Sequence, residues 1–385
     1  MNSIELFAGA GGLALGLNSA GFKHSAIIEF NKDACRTLRA NKFFDYGKGL
    51  YEGDIKDFDY ISINDSIELV SGGPPCQPFS LGGKAKGNND SRDMFPEAVR
   101  AIRENKPKAF IFENVKGLLR KGFFEYFEYI ILQLQYPSLN KFDNESWLEH
   151  RIRLERYHTK NNHKELEYNV IYRLVNAADY GVPQKRERVF IIGFRKDINA
   201  NWSFPVATHS EDSLLWSKWV VGDYWEKHNL PTPEIDELTK RKVKNLKMKY
   251  GFFAPQSLPW QTVRDALADL PDPRVVGNII DNHEFKGGAK IYPGHTGSYI
   301  DEPSKALKAG GHGVPGGENM IRYEDGSVRY FTVRESARIQ TFPDDFHFEG
   351  SWGEIMRQLG NAVPAKLGEI VGKSVFLALK AYHFN

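Results

Sequence analysis

The sequence predicts an α/β protein in which a doubly wound, Rossmann-like sheet domain is joined to a second, smaller and irregular domain. Three observations predict it. Short β-rich runs alternate with helical patterns through the first half, which implies parallel strands with helices on both faces. A glycine-rich turn follows the first strand and opens a helix. Near Arg195 the chain turns rich in Gly, Pro and His with weak periodicity, and helical patterning returns only at Thr332.

The elements follow in order. Ser3–Phe7 reads as the first strand and Leu13–Ser19 as a helix. Ser25–Glu29 is the second strand, with a helix through Asp33–Asn41. Ile67–Val70, Ala109–Glu113 and Arg188–Phe194 are further strands, expected to pair in parallel. Lys121–Tyr168 is polar, aromatic and helical in pattern, and reads as an insertion between sheet elements. The expected boundaries are a sheet domain over residues 1–195, a second domain over 196–331, and a segment over 332–385 that returns to the first, with helices at Arg334–Gln340 and Lys366–Tyr382.

Composition limits the function classes. The chain has 385 residues, 41% hydrophobic and 26% charged, which is neither a disordered nor a membrane-spanning composition. No apolar run approaches the roughly 20 residues needed to cross a bilayer. The N-terminus lacks a basic leader region and carries Glu5, so it reads as a strand and turn rather than an export signal. The two cysteines, Cys35 and Cys76, make a poor disulfide framework and fit a reducing, cytoplasmic setting. A net charge of +2 permits a nucleic-acid partner without arguing for one. No metal is expected.

The first turn, FAGAGGLALG, fits a G-x-G-x-x-A fingerprint at Gly9, Gly11 and Ala14. Its glycines let the backbone approach a ligand, and the helix N-terminus favours an anionic group. Glu29 ends the second strand, where an acidic side chain can hold both hydroxyls of a ribose. Phe30 beside it can lie against an adenine ring, and Asp54 can accept from an adenine amine. The pattern leaves NAD and S-adenosylmethionine equally open.

Cys76 stands in SGGPPCQPFSL. Pro74 and Pro75 fix φ and stiffen the approach, Gly72 and Gly73 let the chain turn off the strand, and Gln77-Pro78 stiffens the exit. A thiol held so rigidly at a strand end suits a nucleophile. Cys35, inside the helical pattern DACRTLRAN, reads as an inert buried residue. Glu113, in FIFENV, lies at the C-terminal end of a strand, where ligands bind in open α/β sheets. There its pKa can rise and let it act as an acid.

FAGAGG, PPCQPFS, ENV, QKRERVF, RESARIQTFPD and GNAVP occur in the order characteristic of DNA (cytosine-5)-methyltransferases, and the chain resembles that family over Ile4–Arg195 and Thr332–Tyr382. The resemblance implies an S-adenosylmethionine-dependent methyltransferase domain with a target-recognition domain, holding double-stranded DNA in the cleft between them. Cys76 matches the nucleophile that adds to C6 of a flipped cytosine. Glu113 matches the residue that hydrogen-bonds N3 and the exocyclic amine. Arg188 matches the residue that holds O2, with Asn114 and Arg186 beside these as support. Phe7, Ala8, Gly9, Gly11, Gly12 and Leu13 match the turn around the methionine end of S-adenosylmethionine. Glu29 and Phe30 match the ribose and adenine contacts, and Asp54 and Ile55 the adenine edge. Pro75 with Asn361, Ala362 and Val363 closes the site.

The resemblance also implies a mobile loop after Cys76. Some relatives carry there a serine that fills the gap left by the flipped base, and this sequence has Gly82. In the second domain the basic run Lys240–Lys249 suits phosphates or a solvated helix face. The segment Gly310–Asn319 offers backbone amides, His312 or Asn319 to base edges, since glycines permit close approach. A compact chain of this kind resembles the modification half of a bacterial restriction–modification system, a monomer whose partner in function is a cognate endonuclease. A tRNA-modifying relative, a catalytically silent binding module and an NAD-dependent dehydrogenase are the rivals. The first usually carries Cys-Phe-Thr in the smaller domain, and residues 196–330 hold no cysteine. The second loses the nucleophile or the glutamate, and the third has no use for PPCQ.

Overall fold

The computed structural model describes residues 1–42, 49–63, 65–75, 93–160, 165–275, 280–309 and 317–383. The chain divides into two compact units. One comprises Met1–Val175, Glu187–Phe204 and Gly368–Asn385, and the other Asn176–Arg186 and Pro205–Leu367.

The first unit is built on β1 (Asn2–Leu6), α1 (Gly12–Ala20), β2 (Lys23–Glu29), α2 (Lys32–Ala40), β3 (Leu50–Glu52), β4 (Leu69–Gly72), α3 (Phe95–Asn105), β5 (Ala109–Val115), α4 (Phe124–Gln135), α5 (Trp147–Thr159) and β6 (Tyr168–Asn176). A two-residue strand β7 (Gln184–Lys185) precedes β8 (Glu187–Arg195). The seven-stranded sheet runs β3-β2-β1-β4-β5-β8-β6. Strands β3 to β5 pair in parallel. The central strand β5 is buried on both faces and so reads as a near-continuous apolar run, AFIFENV. One face carries Ile4, Leu6, Val70, Phe110 and Phe112 against Phe95, Val99 and Ile102 of α3 and Phe127 and Ile130 of α4. The C-terminal helix Ala365–His383 meets the chain just after α1 through Phe376 and Phe22, whose rings lie 5.2 Å apart. From β1 the chain winds first to β2 and β3, then back to β4 and β5 on the other side. The order therefore reverses between β1 and β4, the switch point where ligands bind at strand C-termini.

Two expectations are corrected in this unit. The strand expected at Arg188–Phe194 is antiparallel to β5, with Val115 opposite Arg188 and Glu113 opposite Phe190. Only a 3₁₀ turn, Ala177–Tyr180, and β7 separate β6 from β8. That is too little chain for a parallel crossover. The stretch expected as an insertion also belongs to the core, since Tyr126, Phe127, Tyr129, Ile130, Leu134 and Leu154 join the main hydrophobic cluster.

The second unit is irregular, with short helices and small sheets. Its extent differs from the expected 196–331 at both ends. Residues Asn176–Arg186 join it because β7 pairs with Ser304–Lys305. Its far end extends to Leu367. Ile339 of the helix Val333–Ile339 packs with Val263, Leu307, Ile321 and Phe331. Conversely, Trp202 stacks near Phe194 and donates to Ser374 at 3.1 Å, which keeps the chain through Phe204 with the first unit. No helix among the described residues is long and apolar enough to cross a membrane.

Candidate active site

The C-terminal ends of β1, β2, β4 and β5 assemble the candidate residues. At β1 the chain leaves the strand through positive φ at Phe7, Gly9 and Gly11 (54°, 56° and 84°). Phe7 is the costly member, because a side chain rarely adopts that region. Above Gly9 a Cβ would meet nothing within 4 Å, so the turn leaves open space over the start of α1. Ala8 hydrogen-bonds back to Ile28, and Gly12 and Leu13 are buried in the first turn of α1.

Glu29 closes this turn in a way the sequence did not signal. Its carboxylate accepts from the Gly9 N–H at 2.7 Å and the Asn31 N–H at 2.6 Å. Each oxygen keeps acceptor capacity for a diol. Phe30, next along, is 74% exposed, as an aromatic face awaiting a flat partner would be. Asp54 caps the 3₁₀ turn Ile55–Asp57 by accepting from Lys56, and Ile55 is buried beneath it.

Glu5 and Ser71 are opposite one another on β1 and β4, one strand apart at the switch point. The Ser71 hydroxyl donates to the Glu5 carboxyl, and burial pushes the Glu5 pKa up to about 8. One residue on, Gly72 stands at φ 155°, where a Cβ would strike the Leu6 carbonyl oxygen at 2.3 Å. Only glycine lets β4 turn here into Pro74 and Pro75.

Glu113 lies beside that exit. A Cβ on Gly73 would sit 3.4 Å from Glu113 Oε2. Glu113 is 7% exposed and faces Arg188, with Arg188 Nε 2.7 Å from Glu113 Oε1. The antiparallel pairing explains this meeting of residues far apart in sequence. Arg188 enters at the start of β8, diagonally across from Glu113 near the end of β5. Burial lowers the Arg188 pKa, and the Glu113 carboxylate works against that shift. Asn114 turns away from the pair. Its amide donates to the Pro74 carbonyl at 3.0 Å, so it braces the loop entering Cys76.

Cys76 and Gly82 lie outside the described residues, as does His312. Cys35 is fully buried, and burial pushes its thiol up to about 12, as an inert core residue requires.

Arg186 is corrected. Its guanidinium is wholly buried in the second unit and is spent on the carbonyls of Leu307 (3.0 Å), Gly360 (2.8 Å) and Ala362 (2.9 Å). Gln340 donates to the Leu359 carbonyl and, at 3.3 Å, to that of Ala362. Gln184 in turn donates to Gln340 at 3.2 Å. The blocks QKRERVF, RIQTFPD and GNAVP thus share one buried polar network, and it fixes the backbone that carries Asn361, Ala362 and Val363. Asn361 is exposed at the end of the helix Trp352–Asn361, and the other two are buried. Asn319 is corrected as well. It is fully buried and exchanges two hydrogen bonds with the Lys308 backbone, which removes it from any base edge.

A doubly wound sheet with an antiparallel strand beside β5, a glycine turn at the switch point and an acid–arginine pair next to it is the Rossmann-like domain of a methyltransferase. The family described as C-5 cytosine-specific DNA methylase matches residues 1–136 and 146–377, and the chain belongs to it. It is a DNA (cytosine-5)-methyltransferase. It is 35% identical over 380 residues to the type II methyltransferase M.PspPI of Psychrobacter sp. (strain TA137), covering 98% of this chain and 79% of that protein. To M.NgoMIV of Neisseria gonorrhoeae it is 32% identical over 379 residues, 98% of each chain. Its fold is similar to an E. coli prophage-encoded protein described as a putative DNA modification methyltransferase, with a TM-score of 0.59 at 20% identity over 99% of both chains. It is also similar to S. pombe Dnmt2, with a TM-score of 0.54 at 17% identity over 99% of this chain and 98% of that one.

Proposed function

We propose that the protein transfers a methyl group from S-adenosylmethionine to C5 of a cytosine flipped out of a specific double-stranded DNA sequence, and so protects DNA from a cognate restriction endonuclease. The observation that carries the reading is the ion pair of Glu113 and Arg188, 2.7 Å apart beside the exit of β4 toward Cys76. A stacked cytosine exposes neither C6 nor its N3 edge, so the base must leave the helix to meet such a pair.

The residues around the first turn fit S-adenosylmethionine. Open space above Gly9 takes the methionine end, the Glu29 carboxylate retains acceptor capacity for a ribose diol, and the exposed Phe30 ring offers a stacking face. Bound there, the cofactor would supply an electrophilic methyl group. The chain's own residues do the rest. Cys76, as thiolate, adds to C6 and makes C5 nucleophilic. Glu113, taking up a proton, donates to N3 and accepts from the exocyclic amine, and Arg188 faces O2, so negative charge spreading into the ring meets fixed donors. The C5 proton then leaves and the Cys76–C6 bond breaks, restoring the thiolate and aromaticity. Asn114 holds Pro74, two residues before the nucleophile in sequence.

Labelled S-adenosylmethionine incubated with random-sequence duplex DNA or with tRNA tests the reading. Label should enter DNA alone, as 5-methylcytosine in one short sequence context. Label in tRNA alone, or methylation at a ring nitrogen or amine, overturns it.

A further inference from the structure

The basic run of the second unit forms most of the helix Glu237–Tyr250, which packs inward only through Val243 and Leu246. Lys240, Lys244 and Lys247 stand at i, i+4 and i+7, and therefore on one face. Lys240 pairs with Glu237 at the helix start. Arg241, Lys244 and Lys247 make no ion pair among the described residues. The three lysines line an open hollow of about 450 Å³ together with Ile235, Val243 and Met248. Just beyond the helix, Phe252 and Phe253 are 101% and 82% exposed.

Lys244 and Lys247 are without an ion pair among the described residues, and Lys240 is held only by the exposed Glu237. Such a row of ammonium groups beside apolar side chains matches a sugar–phosphate backbone, with phosphates on the lysines and deoxyribose faces against the apolar groups. The rise of an α-helix puts Lys240 and Lys244 about 6 Å apart along the axis and Lys247 a further 4.5 Å or so on. That repeat lets one strand of a duplex meet the lysines in succession. The helix's planar side chains, Arg241 and Asn245, stand about 100° and 140° round the axis from Lys240, off the lysine face, so that face contributes charge and orientation rather than sequence. Val243 and Leu246 face the protein, while Leu238 and Met248 are exposed singly among polar neighbours, which leaves the helix without the broad apolar stripe that an interfacial membrane helix buries.

We infer that this face docks the phosphate backbone of duplex DNA outside the base pairs being read, an inference resting on the reading that the protein acts on duplex DNA. The test uses the full chain and the variant Lys240→Gln/Lys244→Gln/Lys247→Gln, with DNA affinity measured against salt on a long duplex. The variant's log–log slope should be shallower by about 2 to 3, near 0.9 per lost phosphate contact. The loss should be the same on unrelated sequences, with methyl transfer at low salt intact. Trimming the duplex around the target should flatten the wild-type slope and leave the variant's unchanged. Identical slopes on the long duplex, in a variant that melts like wild type, overturn the assignment. So does loss of binding only to phosphatidylserine vesicles. If wild type methylates no DNA at all, the proposed function falls, and the slope comparison still judges the helix separately.

Discussion

Replacing Arg186 separates two accounts of the QKRERVF block. The guanidinium is fully buried and spans the carbonyls of Leu307, Gly360 and Ala362. In Arg186→Ala, Ala362 keeps its weaker bond from Gln340, while Leu307 and Gly360 lose a charge-assisted donor in a dry site. Each stranded acceptor costs about 1–3 kcal/mol, so the two together cost about 2–6 kcal/mol. Arg186→Lys supplies charge without the fork that reaches three carbonyls, so it should lose about half of that. Urea unfolding followed by tryptophan fluorescence reads the effect, since Trp225 and Trp260 sit in the second unit's core. The midpoint should fall with an unchanged slope, and S-adenosylmethionine binding should weaken in the lysine variant. A variant with wild-type stability and lost turnover would refute this account and return Arg186 to direct support of Arg188.

Three other outcomes follow from the site. Glu5 keeps its proton up to about pH 8 in the folded protein, against an ordinary value of 4.5. The unfolded chain therefore releases a proton first, and stability falls between those values by about 1.4 kcal/mol per pH unit, then levels off. Melting curves of wild type and Glu5→Gln should run together at pH 4.5 and diverge toward pH 8, and parallel curves would contradict the assignment. Arg188→Ala should depress turnover more than DNA binding, because its contact strengthens as charge enters the ring, and near-normal single-turnover rates would exclude that role. Glu29→Gln should weaken S-adenosylmethionine binding by about 1–3 kcal/mol in calorimetry, with cofactor-free DNA affinity unchanged.

What the sequence made legible was local. The strand–turn–helix around Gly9 and Gly11 and the Cys35 core position follow from spacing within a few residues. Glu113 was legible as a candidate because it ends an apolar strand. Its pairing with Arg188 was not, since that depends on β8 running against β5, and the pattern of FIIGF is the same in either direction. Arg186 misled for a related reason. Two residues from Arg188 in sequence, it precedes β8 and turns to carbonyls contributed from as far away as Ala362. Asn319 suffered likewise. A glycine-rich neighbourhood suggested an open loop, while its amide is consumed by Lys308.

The covalent step at Cys76 is the centre of the account, and DNA bearing 5-fluorocytosine at the target tests it most directly. Fluorine lets the thiolate add and the methyl transfer, yet leaves no C5 proton to lose, so elimination stalls. Wild-type protein should then remain joined to DNA through denaturing electrophoresis. The adduct should require S-adenosylmethionine, vanish in Cys76→Ser and persist in Cys35→Ser. No adduct from protein that methylates ordinary DNA, or an adduct mapping to Cys35, would contradict the mechanism.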